Sequence, residues 1–72
     1  MPSLRQVLQQ THHTLEASNI PDARLEAEVM VMNVMHLLRQ DIFAQQESEV
    51  DPQQEQALSQ IVERRLKREP LA

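Results

Sequence analysis

Apolar and polar positions alternate with a helical period along most of this chain. The pattern is densest over residues 22–38, DARLEAEVMVMNVMHLL, where neither Pro nor Gly interrupts it. On a helical wheel at about 100° per residue, Ala23, Ala27, Met30, Val31, Val34 and Leu38 share one broad arc. Leu25, Val29 and Met32 share a second arc on the opposite side. Two thin polar strips, Glu26 with Asn33 and Arg24 with Glu28, separate the arcs. A surface helix carries one apolar stripe, so two-sided patterning predicts the central helix of a bundle or a helix with a partner on its second side.

The flanking segments supply single stripes. Ser3 and Gln6 have the spacing of a capping box, which places a helix start near Ser3. Leu4, Val7, Leu8, Thr11 and Leu15 then form one face, with Arg5, Gln9, Gln10 and His13 largely outside it. This helix is expected to end near Ala17, with Asn19 suited to a left-handed cap position. Ile20 is expected to close the corner, and Pro21 to sit in the first turn of the central helix. The sequence 36–39 ends or bends that helix. A short helix from residue 39 or 40 to about 46 follows, with Ile42 and Phe43 as its anchors, and residues 45–49 read as a polar connector. Val50-Asp51-Pro52 opens the last helix: Asp51 is the N-cap, Pro52 occupies N1, and Gln54 completes a box. Its inward stripe is Ala57, Leu58, Ile61, Val62 and Leu66. It should stop near Arg68, because Pro70 disfavours helical geometry at Glu69. The fold class expected is all-α, a small antiparallel bundle of four to five helices. The second arc of the central helix is expected to be covered by the short third helix.

Composition narrows the picture. The chain has 72 residues, enough for one domain. Cys and Gly are both 0 and Phe43 is the only aromatic, so aliphatic side chains and Met must build the core, and tight β-hairpins are disfavoured. Seven Lys plus Arg against eleven Asp plus Glu give a formal charge of −4. That sign argues against direct nucleic-acid binding. No apolar run approaches the ~20 residues of a membrane span, and the N-terminus lacks the features of a signal peptide. A cytoplasmic location is the expectation.

Candidate chemistry is sparse. Without Gly there is no phosphate loop, there is no Cys nucleophile, and no Ser lies in a nucleophile-elbow context. His12 and Glu16 lie at i, i+4 with His13 adjacent, but two ligands in reach fall short of a metal site. Met30, Met32 and Met35 at helical spacing are read either as core or as an adaptable binding surface, with Met30 read as core from its place on the inward arc and Met32 lying on the second side. The cluster Arg64, Arg65, Lys67, Arg68 is read either as compensation of the helix dipole or as a contact for phosphate or an acidic partner.

Two stretches resemble a known family. Residues 22–30, DARLEAEVM, followed by Val34, resemble the second helix of the N-terminal domain of the HemK/PrmC family of peptide chain release factor N5-glutamine methyltransferases, which commonly reads R-L-[DE]-A-E-L-L-L-x-x-V-L-G. Arg64-Arg65 and Glu69-Pro70-Leu71-Ala72 look like the R-R-x-x-G-E-P-[LIV]-A segment that leaves that domain. Where the family has Gly, this chain has His36 and Arg68. The resemblance implies a helical substrate-docking domain over residues 1–68, with residues 69–72 beginning a linker to a Rossmann-like catalytic domain. It also implies a parent enzyme that methylates the Gln of the Gly-Gly-Gln motif of bacterial release factors. S-adenosylmethionine and the catalytic Asn-Pro-Pro-Tyr motif would belong to that second domain; no catalytic, cofactor or metal residue is assigned in these 72 residues. Partners implied are the release factor and the catalytic domain, with Arg64, Arg65 and Arg68 as candidate contacts at the junction. The alternative is a free-standing helical interaction module, with self-association through Leu25, Val29 and Met32.

Overall fold

The computed structural model describes residues 1–67. Among them the elements in chain order are α1 (Leu4–Ala17), α2 (Ala23–Met35), α3 (Arg39–Ala44) and α4 (Pro52–Leu66), with no strand. α2 packs against each of the other three helices, as its two-sided pattern predicts. Leu4 and Leu15 of α1, Val31 of α2, Ile42 of α3 and Val50 ahead of α4 are the largest fully buried side chains.

The start of α1 shows how local sequence and tertiary structure combine. A helix leaves its first four N–H groups without internal partners. Here the Ser3 N–H donates to Gln6 Oε1 at 2.9 Å and the Gln6 N–H donates to Ser3 Oγ at 3.2 Å, the expected capping box. The other two are met by a remote segment: the Leu4 N–H donates to the Ser48 carbonyl at 2.8 Å and the Arg5 N–H to the Gln46 carbonyl at 3.0 Å. A further bond, from the Val50 N–H to the Pro2 carbonyl at 2.9 Å, completes the seam. The stretch expected to be a plain connector therefore caps a helix.

α1 ends at Ala17 as expected, with Asn19 at φ 60°. The Asn19 N–H donates to the Glu16 carbonyl at 3.0 Å and the Ile20 N–H to the Leu15 carbonyl at 3.2 Å. This is the double bond pattern of a Schellman ending. Ile20 and Leu15 are both buried in the same core, so Ile20 closes the corner.

The joints of α2 differ from the reading of the sequence. Pro21 lies outside the helix, and Asp22 is the N-cap in the left-handed region, φ 56° and ψ 39°, without a side-chain cap bond. Ile20 and Ala23 are both buried, so the chain must reverse within the two residues between them, and left-handed Asp22 makes that turn. At the other end α2 stops at Met35. His36 takes φ 56° and ψ 45°, and its N–H donates to the Met32 carbonyl. Leu38 consequently lies beyond the helix, off the inward arc, and is 62% exposed.

His36 thus stands in a conformation that costs a non-glycine residue roughly 1–2 kcal/mol. His36→Gly should stabilise the chain by about 0.5–1 kcal/mol, the relief being reduced by the greater freedom of Gly in the unfolded state. Thermal unfolding followed by circular dichroism would show it; a lowered melting temperature would mean that the imidazole makes compensating contacts.

α3 was expected to use Ile42 and Phe43 together. Ile42 is fully buried, whereas Phe43 is 52% exposed. Adjacent residues on a helix point about 100° apart, and this six-residue helix has a single face against α2. Its start is fixed by the Leu38 N–H, which donates to the Asp41 carboxylate at 3.1 Å.

α4 opens as read. The Gln53 N–H donates to Asp51 Oδ1 at 2.8 Å, the Asp51 N–H donates to Gln54 Oε1 at 3.1 Å, and Pro52 fills the first turn. Of the inward stripe, Leu58 is buried and Ile61, Val62 and Leu66 are partly buried. Ala57, at the edge of the stripe and one turn before Ile61, is exposed. The last helical residue is Leu66 and Lys67 caps it; the expected stop near Arg68 falls outside the described residues.

Candidate protein-docking face

α2 directs one arc inward: Ala23, Ala27, Met30 and Val31 are buried. Its second arc is not covered as expected. Met32 packs partly against the core, but Leu25 and Val29 remain 47% and 44% exposed. The cause lies in α3, which is short and commits only Ile42 to the interior. Leu25 and Val29 are one helical turn apart and so are neighbours on the surface. Leu25 and the exposed Phe43 line one shallow groove with Asp22, Arg24, Glu28 and Arg39. Isolated exposed apolar side chains are ordinary, whereas neighbouring ones rimmed by charge make a candidate contact surface.

The rim is built by Glu28, a buried residue between two guanidinium groups. Arg24 Nε lies 3.6 Å from Glu28 Oε2 and Arg39 Nε lies 3.5 Å from Glu28 Oε1. One carboxylate thereby serves both cations and ties the first residue of α3 to the central helix. It leaves Leu25 and Phe43 beside three charged groups that are already partnered, which lowers the cost of covering that part of the groove.

Glu26 performs the corresponding task on the other side of α2. Arg65 Nε donates to Glu26 Oε1 at 2.7 Å and Arg65 Nη2 donates to Oε2 at 3.1 Å. The hydrogen bond from Arg65 holds the Glu26 carboxyl below the ordinary glutamate range; partial burial opposes this and the charge of Arg65 adds to it. A carboxylate with a lowered folded pKa adds stability above its unfolded value, so the contribution of this pair is complete at neutral pH and is lost as the pH falls from the ordinary glutamate range down through the lowered pKa of Glu26. The two carboxylates of the Arg24-Leu25-Glu26-Ala27-Glu28 run thus hold α4 and α3, Ala27 enters the core, and Leu25 is left outward.

Among the described residues the basic cluster divides among different contacts. Arg65 pairs with Glu26, Arg64 is exposed, and Lys67 Nζ lies 3.8 Å from Glu63 Oε1. Arg68 lies outside the described residues. His12 Nε2 lies 3.1 Å from Glu16 Oε2 on the surface of α1. Among the described residues no group of three or more His, Asp or Glu is placed to hold a metal, and no helix is long and apolar enough to cross a membrane. A second open groove runs between α1 and α4, lined by Val7, Thr11, Thr14, Leu58 and Val62; no sequence signal marked it.

A family model described as the PrmC N-terminal domain matches residues 6–72. No curated protein and no solved structure matches the chain.

Proposed function

The chain belongs to the PrmC N-terminal domain family, and on that premise we propose that it is the substrate-docking domain of a release factor glutamine methyltransferase. Its task is to hold the release factor while a catalytic domain transfers the methyl group from S-adenosylmethionine to the Gln of the Gly-Gly-Gln motif. The observation that carries the reading is the uncovered strip Leu25, Val29 and Phe43 on α2 and α3. A protein partner gains apolar burial there beside Arg24, Glu28 and Arg39, which are already paired with one another, and meets the carboxylate of Asp22 at the same groove. Exposed Arg64, in the last turn of α4, is the second contact we assign, as a rim charge acting on association. Arg65 acts through its bond to Glu26. No residue of this chain is assigned to S-adenosylmethionine: with Gly at 0 it has no Gly-rich loop of the kind that cradles a dinucleotide or nucleoside cofactor.

Methyl-transfer kinetics of the full enzyme test this reading. Serine at both Leu25 and Val29 should raise the Michaelis constant for the release factor and leave that for S-adenosylmethionine unchanged. Arg64→Glu should act in the same direction, less strongly, with an effect that shrinks as salt is added. Kinetics identical to those of the parent enzyme would refute the proposal.

A further inference from the structure

We propose that the Glu26–Arg65 pair is a clasp holding the C-terminal turns of α4 on the central helix, and that these turns open as a unit separate from the rest of the bundle. This holds whether or not the domain docks a release factor. α4 is secured firmly at its beginning, by the Asp51 cap and by buried Val50 and Leu58. Beyond Leu58 the apolar anchoring weakens: Ile61, Val62 and Leu66 are only partly buried. Arg65 stands in that weak stretch and reaches across to a residue 39 positions earlier in the chain, in the first turn of α2. Both oxygens of Glu26 accept from it, at 2.7 and 3.1 Å. The planar guanidinium fork gives the contact a fixed direction that a lysine ammonium would not. Both side chains are about three-quarters covered, at 25% and 29% exposure, so solvent screens the pair less than it screens Lys67 with Glu63, at 69% and 67%. The pair also sits between two dipoles that favour it, a carboxylate near the start of α2 and a cation near the end of α4.

Amide hydrogen exchange of the 72-residue chain, resolved by residue, tests the clasp. Glu26→Gln and Arg65→Gln should each speed exchange at residues 62–66 by about tenfold, while residues 27–31 of α2 stay within about threefold of the parent chain. The double variant should exchange no faster than either single one, because the pair is already broken once. Unchanged exchange at residues 62–66, an equal acceleration through α1, α2 and α4, or additive effects of the two substitutions would each overturn the proposal. Arg65→Lys keeps the charge but loses the fork. It should fall between the parent chain and Arg65→Gln; full protection in Arg65→Lys would likewise overturn the directional role of the guanidinium.

Discussion

Replacing Ile42 with alanine should destabilise the chain by about 2–5 kcal/mol, whereas removing the larger side chain next to it, Phe43→Ala, should cost under about 1 kcal/mol. The contrast follows from burial: Ile42 has 0% exposure and Phe43 has 52%. Ile42 is also the one buried residue of α3. A helix of that length has no stability of its own, so its position depends on this single apolar insertion, helped by the ion pair from Arg39 to Glu28. The loss is large against the total. A chain of 72 residues at ordinary stability per residue has roughly 4–11 kcal/mol in all. Urea and thermal unfolding followed by circular dichroism would measure both variants, with a fall in melting temperature of about 10 °C or more expected for Ile42→Ala. Equal losses, or a larger loss for Phe43→Ala, would contradict the assignment of Ile42 as the anchor.

The second large effect is kinetic. In the full enzyme, the Leu25→Ser, Val29→Ser double variant should lower kcat/KM for the release factor by roughly 10–100-fold, the loss of one or two interface anchors. The fall should lie in KM, because a docking contact made equally in ground state and transition state changes binding and leaves turnover alone. Both residues are nearly half exposed, and surface substitutions of this kind usually stay within about 0.5 kcal/mol in stability. The variant should therefore melt close to the parent protein, which separates docking from folding. A short peptide carrying the reactive Gln, too small to reach this domain, should be methylated at the parent rate. An equal loss on peptide and on intact factor would show instead that the substitutions disturb the catalytic domain.

The sequence carried the local features well and the long-range ones poorly. Ser3 with Gln6, Asn19, and Asp51-Pro52 with Gln54 each act within a few residues, and each does in the structure what its chemistry predicts. The two-sided pattern of α2 located the centre of the bundle. What periodicity could not supply was which of two adjacent apolar residues a six-residue helix would bury, since Ile42 and Phe43 are both good candidates until the helix is oriented. It could not show that carbonyls at 46 and 48 would meet the N–H groups of Arg5 and Leu4. The partner of Arg65 was likewise hidden, because i, i+4 spacing along the sequence offers only Glu69, whereas tertiary packing brings Glu26. At His36 the helix ends in a left-handed residue with no Gly to signal it; the demand of the turn overrides the preference of the side chain.

The same limits explain the site. Leu25 and Val29 were visible as a second apolar arc, but whether α3 covers them depends on where a short helix lands. The resemblance to the family rested on two stretches, and the structure joins them: Glu26 in one is bonded to Arg65 in the other. Much of the recognisable motif therefore serves the scaffold. The side chains left over, Leu25 and Val29, both within it, are the ones we assign to the partner.

Titrating the isotopically labelled chain with unlabelled release factor, and following its backbone amide shifts, tests that assignment most directly. The account predicts saturable shifts centred on Arg24, Leu25, Val29 and Phe43, with the α1–α4 groove around Thr14 and Ser59 silent. Shifts confined to that groove, shifts that follow the concentration of the chain itself rather than of the factor, or a spectrum unchanged at excess factor would contradict it.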